Sequence, residues 1–195
     1  WKGPGNRVEQ SSDDIWSAVC AAVRQAVKAA GVDPASIGGI GVDATCSLVI
    51  LGEGGAPLPV DADRNIIVWM DHRATEQAAR INALGHPVLD YVGGVISPEM
   101  ETPKLLWLKE HAPEVYAAAW QFMDLTDFLT WKASGDLSRS ICTVTCKWTY
   151  LGHEGGWDAS YFEKVGLGEL GKDGFARIGS RVVAAGTALG TGLTA

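Results

Sequence analysis

From Ser11 to Ala30 apolar residues recur at Ile15, Trp16, Val19, Cys20, Val23, Val27 and Ala30, one stripe of a helix, with Arg24, Gln25 and Lys28 off it. Ser11 followed by Asp14 resembles a capping box, and Gly31 ahead of Pro34 supplies the stop. The pattern then shortens. Ile37–Asp43 and Leu48–Leu51 read as two strands that could pair as neighbours, the first ending in the polar run Asp43-Ala-Thr-Cys-Ser47. Ile66–Trp69 is a third strand, running into Asp71 as the N-cap of a helix over His72–Leu84.

Pro87–Val92 predicts a short helix closed by Gly93-Gly94, Pro103 opens one through Glu110, and Pro113 opens another to Ala119. Trp120–Asp124 predicts a strand, and Thr126 and Asp127 cap a helix over Phe128–Ala133. The β-branched run Ser140–Cys146 suits either a strand or a threonine-rich helix start. A last short helix is expected over Ser160–Val165, within glycine-rich loops and with no internal repeat. This alternation argues for a layered α/β fold.

With 47% apolar and 20% charged residues, the 195-residue chain has the composition of one large domain, or of a domain and part of another. The net charge of −7 offers little footprint for nucleic acid or an anionic membrane, so a small polar partner is the expectation. No apolar run approaches a membrane span. Four cysteines with no disulfide-framework pattern suggest a reducing cytoplasm. Cys142 and Cys146 lack histidines at zinc spacing, so no metal site is expected, and His86, His111 and His153 have no partner pattern. No G-x-S-x-G, H-E-x-x-H or Walker A motif occurs.

Candidate chemistry gathers in three polar clusters at strand ends and helix starts: Asp43–Ser47, Asp71-His72-Arg73 and Thr126-Asp127. Asp127 reads equally as a simple cap. Asp71, His72 and Arg73 after Trp69 suit a sugar clamp, with a carboxylate accepting from paired hydroxyls, Arg or His donating back, and an indole face covering the apolar side. The bland alternative is a solvated helix start. Lys147, between Cys146 and Trp148, is either a ligand-facing lysine in an aromatic setting or a snorkelling surface residue.

Five ordered strings carry a resemblance: Gly41–Ser47, Val68–Arg73, Pro103–Glu110, Asp124–Gly135 and Cys142–Lys147. Over roughly Ser11 to Ala195 the chain is similar to the N-terminal domain of the FGGY carbohydrate kinases, nearest the ribulokinase-like, pentulose-kinase branch. The resemblance implies an actin-like, ribonuclease-H-like lobe of a two-lobe kinase, with sugar against the first lobe and MgATP in the cleft. It places Asp71, His72 and Arg73 on the sugar-side loop, Thr45 and Cys46 in the loop lining the sugar pocket, and Lys147 at a sugar-contacting position. Glu99 and Glu101 depart from it, standing where many members carry small or hydroxyl residues, and this bears on which sugar is preferred.

The same resemblance expects the family's opening phosphate-loop strand before Trp1 and its catalytic aspartate after Ala195, making residues 1–195 an incomplete lobe that is inactive alone. ATP and Mg²⁺ are then cofactors of the intact enzyme, with none binding this piece, and the partner is a pentulose or related polyol. A homodimer is compatible. Two rivals belong to other classes: a non-catalytic actin-like module binding sugar or a protein, and an α/β enzyme using Cys46 as nucleophile.

Overall fold

The computed structural model describes residues 1–194. In chain order its elements are β1 (Glu9–Gln10), α1 (Ser12–Ala30), β2 (Leu48–Leu51), β3 (Ile66–Ile67), α2 (Thr75–Ala83), α3 (Glu101–His111), α4 (Pro113–Ala118), β4 (Gln121–Asp124), α5 (Leu125–Ser134), β5 (Arg139–Ser140), α6 (Ile141–Lys147), α7 (Ala159–Val165), α8 (Glu169–Lys172) and β6 (Val182–Val183). The main sheet has the order β1-β3-β2-β4 with every neighbour antiparallel, and β5 pairs with β6 in parallel.

The sheet separates two cores. Side chains alternate across a strand, so Leu48 and Ile50 of β2 face one way, packing with Ile67, Phe122 and the helices α2, α3 and α7. Val49 and Leu51 face the other way, against Met123, Phe128 and Leu129, where Ile15, Trp16 and Val19 of α1 also pack. Both faces are covered, so β2 is wholly buried and reads as a continuous apolar run rather than an alternating one.

Local signals set the helices. Ser11 accepts from the Asp14 N–H, and Gly31 closes α1 in the left-handed conformation at φ 64°. Pro87–Val92 is a 3₁₀ turn closed by Gly93, and α3, α4 and α7 lie within two residues of their predicted starts. Ser140–Cys146 resolves as helix: Ser140 caps α6 by accepting from the Cys142 N–H, and the Thr143 hydroxyl donates to Asp127 at 2.8 Å. That tertiary bond outweighs the β-propensity of the run.

Three expectations need correction. Residues 37–43 form no strand and do not pair with β2; an extended segment needs a hydrogen-bonding neighbour, and Ile37 and Ile40 stand exposed. Asp71 does not cap α2, which starts at Thr75, because its carboxylate is taken by Val8 N–H and by Arg73. Helix α5 is capped by Asp124, which accepts from the Thr126 N–H, whereas Asp127 accepts from Ser140 N–H and Thr143 and so ties α6 to α5.

Candidate functional site

Sheet register brings the predicted clusters to one place. Leu48 at the start of β2 pairs with both Ile67 at the end of β3 and Asp124 at the end of β4. The loop before β2, the loop after β3 and the turn into α5 therefore meet at one sheet end, where ligands of layered α/β proteins commonly bind. Side chains fasten the junction. Ser47 Oγ accepts from the Trp69 N–H at 3.1 Å, and Thr126 Oγ1 donates to the Ala44 carbonyl at 3.4 Å.

The six predicted residues divide into two sets. Asp71 and Arg73 are internal: Asp71 is fully buried and the Arg73 side chain is 2% exposed. Asp71 Oδ1 accepts from Arg73 N and Nε, both at 2.9 Å, while Oδ2 accepts from Val8 N at 2.6 Å and Arg73 Nη2 at 2.7 Å. Arg73 Nη2 also reaches Glu9 Oε1 at 2.7 Å, and its guanidinium lies 4.9 Å from the Trp107 ring centroid. This network pins β1 and the 71–73 loop to α3.

Thr45, Cys46, His72 and Lys147 stand at the surface or partly open to it. His72 Nε2 meets Glu99 Oε1 at 2.9 Å on the rim. Lys147 is the last residue of α6, partly exposed and next to the buried Trp148. Cys46, Thr126, Thr143 and Cys146 line a groove of about 1500 Å³ together with the apolar Val23, Val27 and Ile40 and the charged Arg24, Lys28 and Asp127.

Glu101, which sequence reading connected only with sugar preference, belongs to a buried charged group. Glu101 and Lys104 of α3 are both fully buried, with Lys104 Nζ 3.5 Å from Glu101 Oε2. Burial, then the nearby Asp124 charge, pushes the Glu101 carboxyl up to about 8, against the opposing pull of Lys104 and Lys147. Asp124 is raised to about 6 by burial and by Asp127. Burial, then Asp124, pushes the Cys46 thiol up to about 12, the direction that disfavours the thiolate a nucleophile uses. The available signal for this cluster was a charged i,i+3 pair heading the apolar run Leu105-Leu-Trp-Leu108.

Partly exposed hydroxyl, imidazole and ammonium groups such as those of Thr45, His72 and Lys147 can donate to and accept from several hydroxyls at once. Among the described residues no group of three or more His, Cys, Asp or Glu stands close enough to hold a metal ion. No helix among them is long and apolar enough to cross a membrane, and all four cysteines are free.

The model of the FGGY family of carbohydrate kinases, N-terminal domain, matches residues 2–172. This chain belongs to that family. An FGGY carbohydrate kinase domain-containing protein of Danio rerio is 53% identical over 192 residues, covering 96% of this chain and 35% of its own length. A D-ribulokinase of Saccharomyces cerevisiae is 44% identical over 185 residues, covering 89% of this chain and 26% of its own. The chain thus spans about a third of the length of the curated relatives it matches. Among solved structures, the ligand-bound xylulose kinase of Lactobacillus acidophilus superposes with a TM-score of 0.79 at 17% identity, over 97% of this chain and 36% of that one. At that identity the likeness speaks for fold alone, and the fold is the N-terminal lobe of an FGGY sugar kinase.

Proposed function

We propose that the chain is the sugar-recognising part of an ATP-dependent kinase that phosphorylates a primary hydroxyl of a ketopentose such as ribulose. The observation that supports this reading is the convergence at one sheet end of the loops that carry Thr45, Cys46 and His72, in a chain of the carbohydrate-kinase family that is 44% identical to a D-ribulokinase. Lys147 and His72 donate to sugar hydroxyls, Thr45 both donates and accepts, and Cys46, held as a neutral thiol, presents an uncharged wall. Asp71 and Arg73 hold the 71–73 loop that presents His72. The chain's share of the reaction is to bind, orient and desolvate the polyol, which is where much of the acceleration in phosphoryl transfer arises. ATP and its Mg²⁺ supply the phosphoryl group and its charge neutralisation in the intact protein.

Steady-state kinetics of the full-length protein with D- and L-ribulose test the reading. Lys147→Met keeps the stem and drops the charge, and should raise the pentulose KM about tenfold or more with the ATP KM changed less than about twofold. Failure of the intact protein to phosphorylate any pentulose overturns the substrate class. Residues 1–195 alone should bind no MgATP in calorimetry, and saturable binding would place the nucleotide site within them.

A further inference from the structure

Helix α6 is anchored on one side only. Val144 is buried, Thr143 Oγ1 donates to Asp127 Oδ2 at 2.8 Å, and the Val144 carbonyl accepts from Trp148 N and Tyr150 N, both at 3.1 Å. The other side carries Cys142, Thr145 and Cys146, all exposed, whereas Cys20 and Cys46 are only partly so. Cys142 and Cys146 stand four residues apart on this helix, which sets their Cβ atoms about 5–6 Å apart on one face. Neither is in a disulfide, and burial, then the neighbouring Cys142 thiol, pushes the Cys146 thiol up. A disulfide holds its Cβ atoms about 3.5–4.5 Å apart. Closing this pair therefore draws the outer side of the turn in by about 1–2 Å while Asp127 and Val144 hold the inner side. The deformation falls on residues 143–147, and Lys147 follows Cys146 directly.

We propose that Cys142 and Cys146 are a reversible thiol switch: a peroxide joins them in a disulfide that distorts the end of α6 and moves the Lys147 ammonium away from bound sugar. The thiol pair stands by itself, and its effect on sugar rests on the sugar-kinase reading above. Cys142 is the attacking group, because Cys146 holds its proton more tightly than an ordinary thiol. The Cys142 thiolate attacks one oxygen of hydrogen peroxide, the O–O bond breaks, and the departing hydroxide takes up the proton that Cys142 released, leaving water and a sulfenic acid. The Cys146 sulfur then attacks the sulfenic sulfur, the S–O bond breaks, and the hydroxide that leaves takes the Cys146 proton as a second water. The thiols lose two electrons in all and the peroxide gains them. A small dithiol reverses the bond by exchange.

The full-length protein is treated with hydrogen peroxide, blocked with iodoacetamide and digested with trypsin, which cuts after Arg139 and Lys147 and leaves both cysteines in the peptide Ser140–Lys147. Mass spectrometry should find that peptide unalkylated and two hydrogens lighter than the dithiol, and dithiothreitol should restore it. Cys142→Ser and Cys146→Ser should each abolish the product. Oxidation should raise the pentulose KM by up to about tenfold, the loss of one charged hydrogen bond, with the ATP KM changed less than about twofold. Cys142→Ser should show the same KM before and after peroxide. Hydrogen exchange needs no turnover: backbone amides of residues 144–150 should exchange faster in the oxidised parent and at an unchanged rate in treated Cys142→Ser. A disulfide from either cysteine to Cys46 or to another molecule overturns the proposal, as does conversion of the two thiols to sulfinic acids without a disulfide. A Ser140–Lys147 disulfide that leaves the exchange, or the KM of an active kinase, unmoved overturns it as well. Disulfide formation with faster exchange in a protein that phosphorylates no pentulose overturns only the substrate reading.

Discussion

The lobe contains two buried charged clusters a short distance apart, and they are built on opposite plans. Around Asp71, every carboxylate oxygen is engaged, and Arg73 bridges Asp71 and Glu9 at 2.7 Å while lying over Trp107. Around Glu101, both carboxylate oxygens, the Lys104 ammonium and one Asp124 oxygen are without hydrogen bonds. The first cluster leaves only Arg73 Nη1 without a partner, and its carboxylates are committed to holding β1 and the 71–73 loop together. The second has the same burial without the bonds, which is how groups committed to a ligand or a partner side chain stand. Residue type alone would have ranked the two the other way round, since Asp71-His72-Arg73 looks the more chemical.

The largest expected effect breaks the first cluster. Asp71→Ala leaves Arg73 buried with only Glu9 for a partner and orphans the Val8 N–H, so it should cost about 3–5 kcal/mol of stability. For a domain of this size that corresponds to a drop in melting temperature of roughly 10 °C. Calorimetry of the full-length variant checks it. Unchanged melting with a selective rise in pentulose KM would instead return Asp71 to the sugar.

An intermediate effect separates the clusters by pH. Glu101 ionises near 8 in the folded chain against a reference of 4.5, and Asp124 near 6 against 3.8, both raised first by burial. A carboxyl raised on folding favours the folded state while protonated. Its contribution is complete below the reference value and disappears as pH climbs through the folded one. The lobe should therefore lose stability between about pH 5 and pH 8, and Glu101→Gln, which cannot ionise, should flatten the upper part of that decline by about 2 kcal/mol. Melting temperature against pH for parent and variant decides it; parallel curves would mean that Glu101 is already ionised at neutral pH.

Much of the fold was legible because its signals are local. The Ser11 cap, the Gly31 and Gly93 stops and the prolines at 87 and 113 mark their elements within a few residues. The site was legible as a set of loops, since the polar runs at 43–47 and 71–73 and the start of α5 do converge through β-sheet register. What failed was non-local. No pattern in residues 72–84 reveals that Asp71 is claimed by a backbone N–H 63 residues earlier, which delays α2 to Thr75. Residues 37–43 carry the β-branched Ile37, Ile40 and Val42 of a strand, yet nothing in a strand's own sequence guarantees a neighbour to pair with. Glu101 and Lys104 stood in plain view, but their full burial depends on how α3 packs under β2, β4 and α6.

The smallest effect on stability sharpens the contrast at the rim. His72 and Glu99 pair at 2.9 Å, with side chains 45% and 27% exposed, so solvent screens the contact and competes for both groups. His72→Ala should change unfolding free energy by less than about 0.5 kcal/mol, well below the loss expected one residue earlier at Asp71. Its effect on sugar binding should be proportionately larger, a rise in pentulose KM of about three- to tenfold, because the imidazole is the one side chain of the 71–73 loop that reaches solvent rather than Glu9 or Val8. Glu99→Gln tells the two partners apart. If the carboxylate only orients the ring, this variant keeps a hydrogen-bonding oxygen there and the KM should move less than for His72→Ala. If the two substitutions raise KM equally, Glu99 itself meets the sugar. If neither moves it, the rim pair is a surface contact, and recognition is confined to the Thr45, Cys46 and Lys147 side of the sheet end.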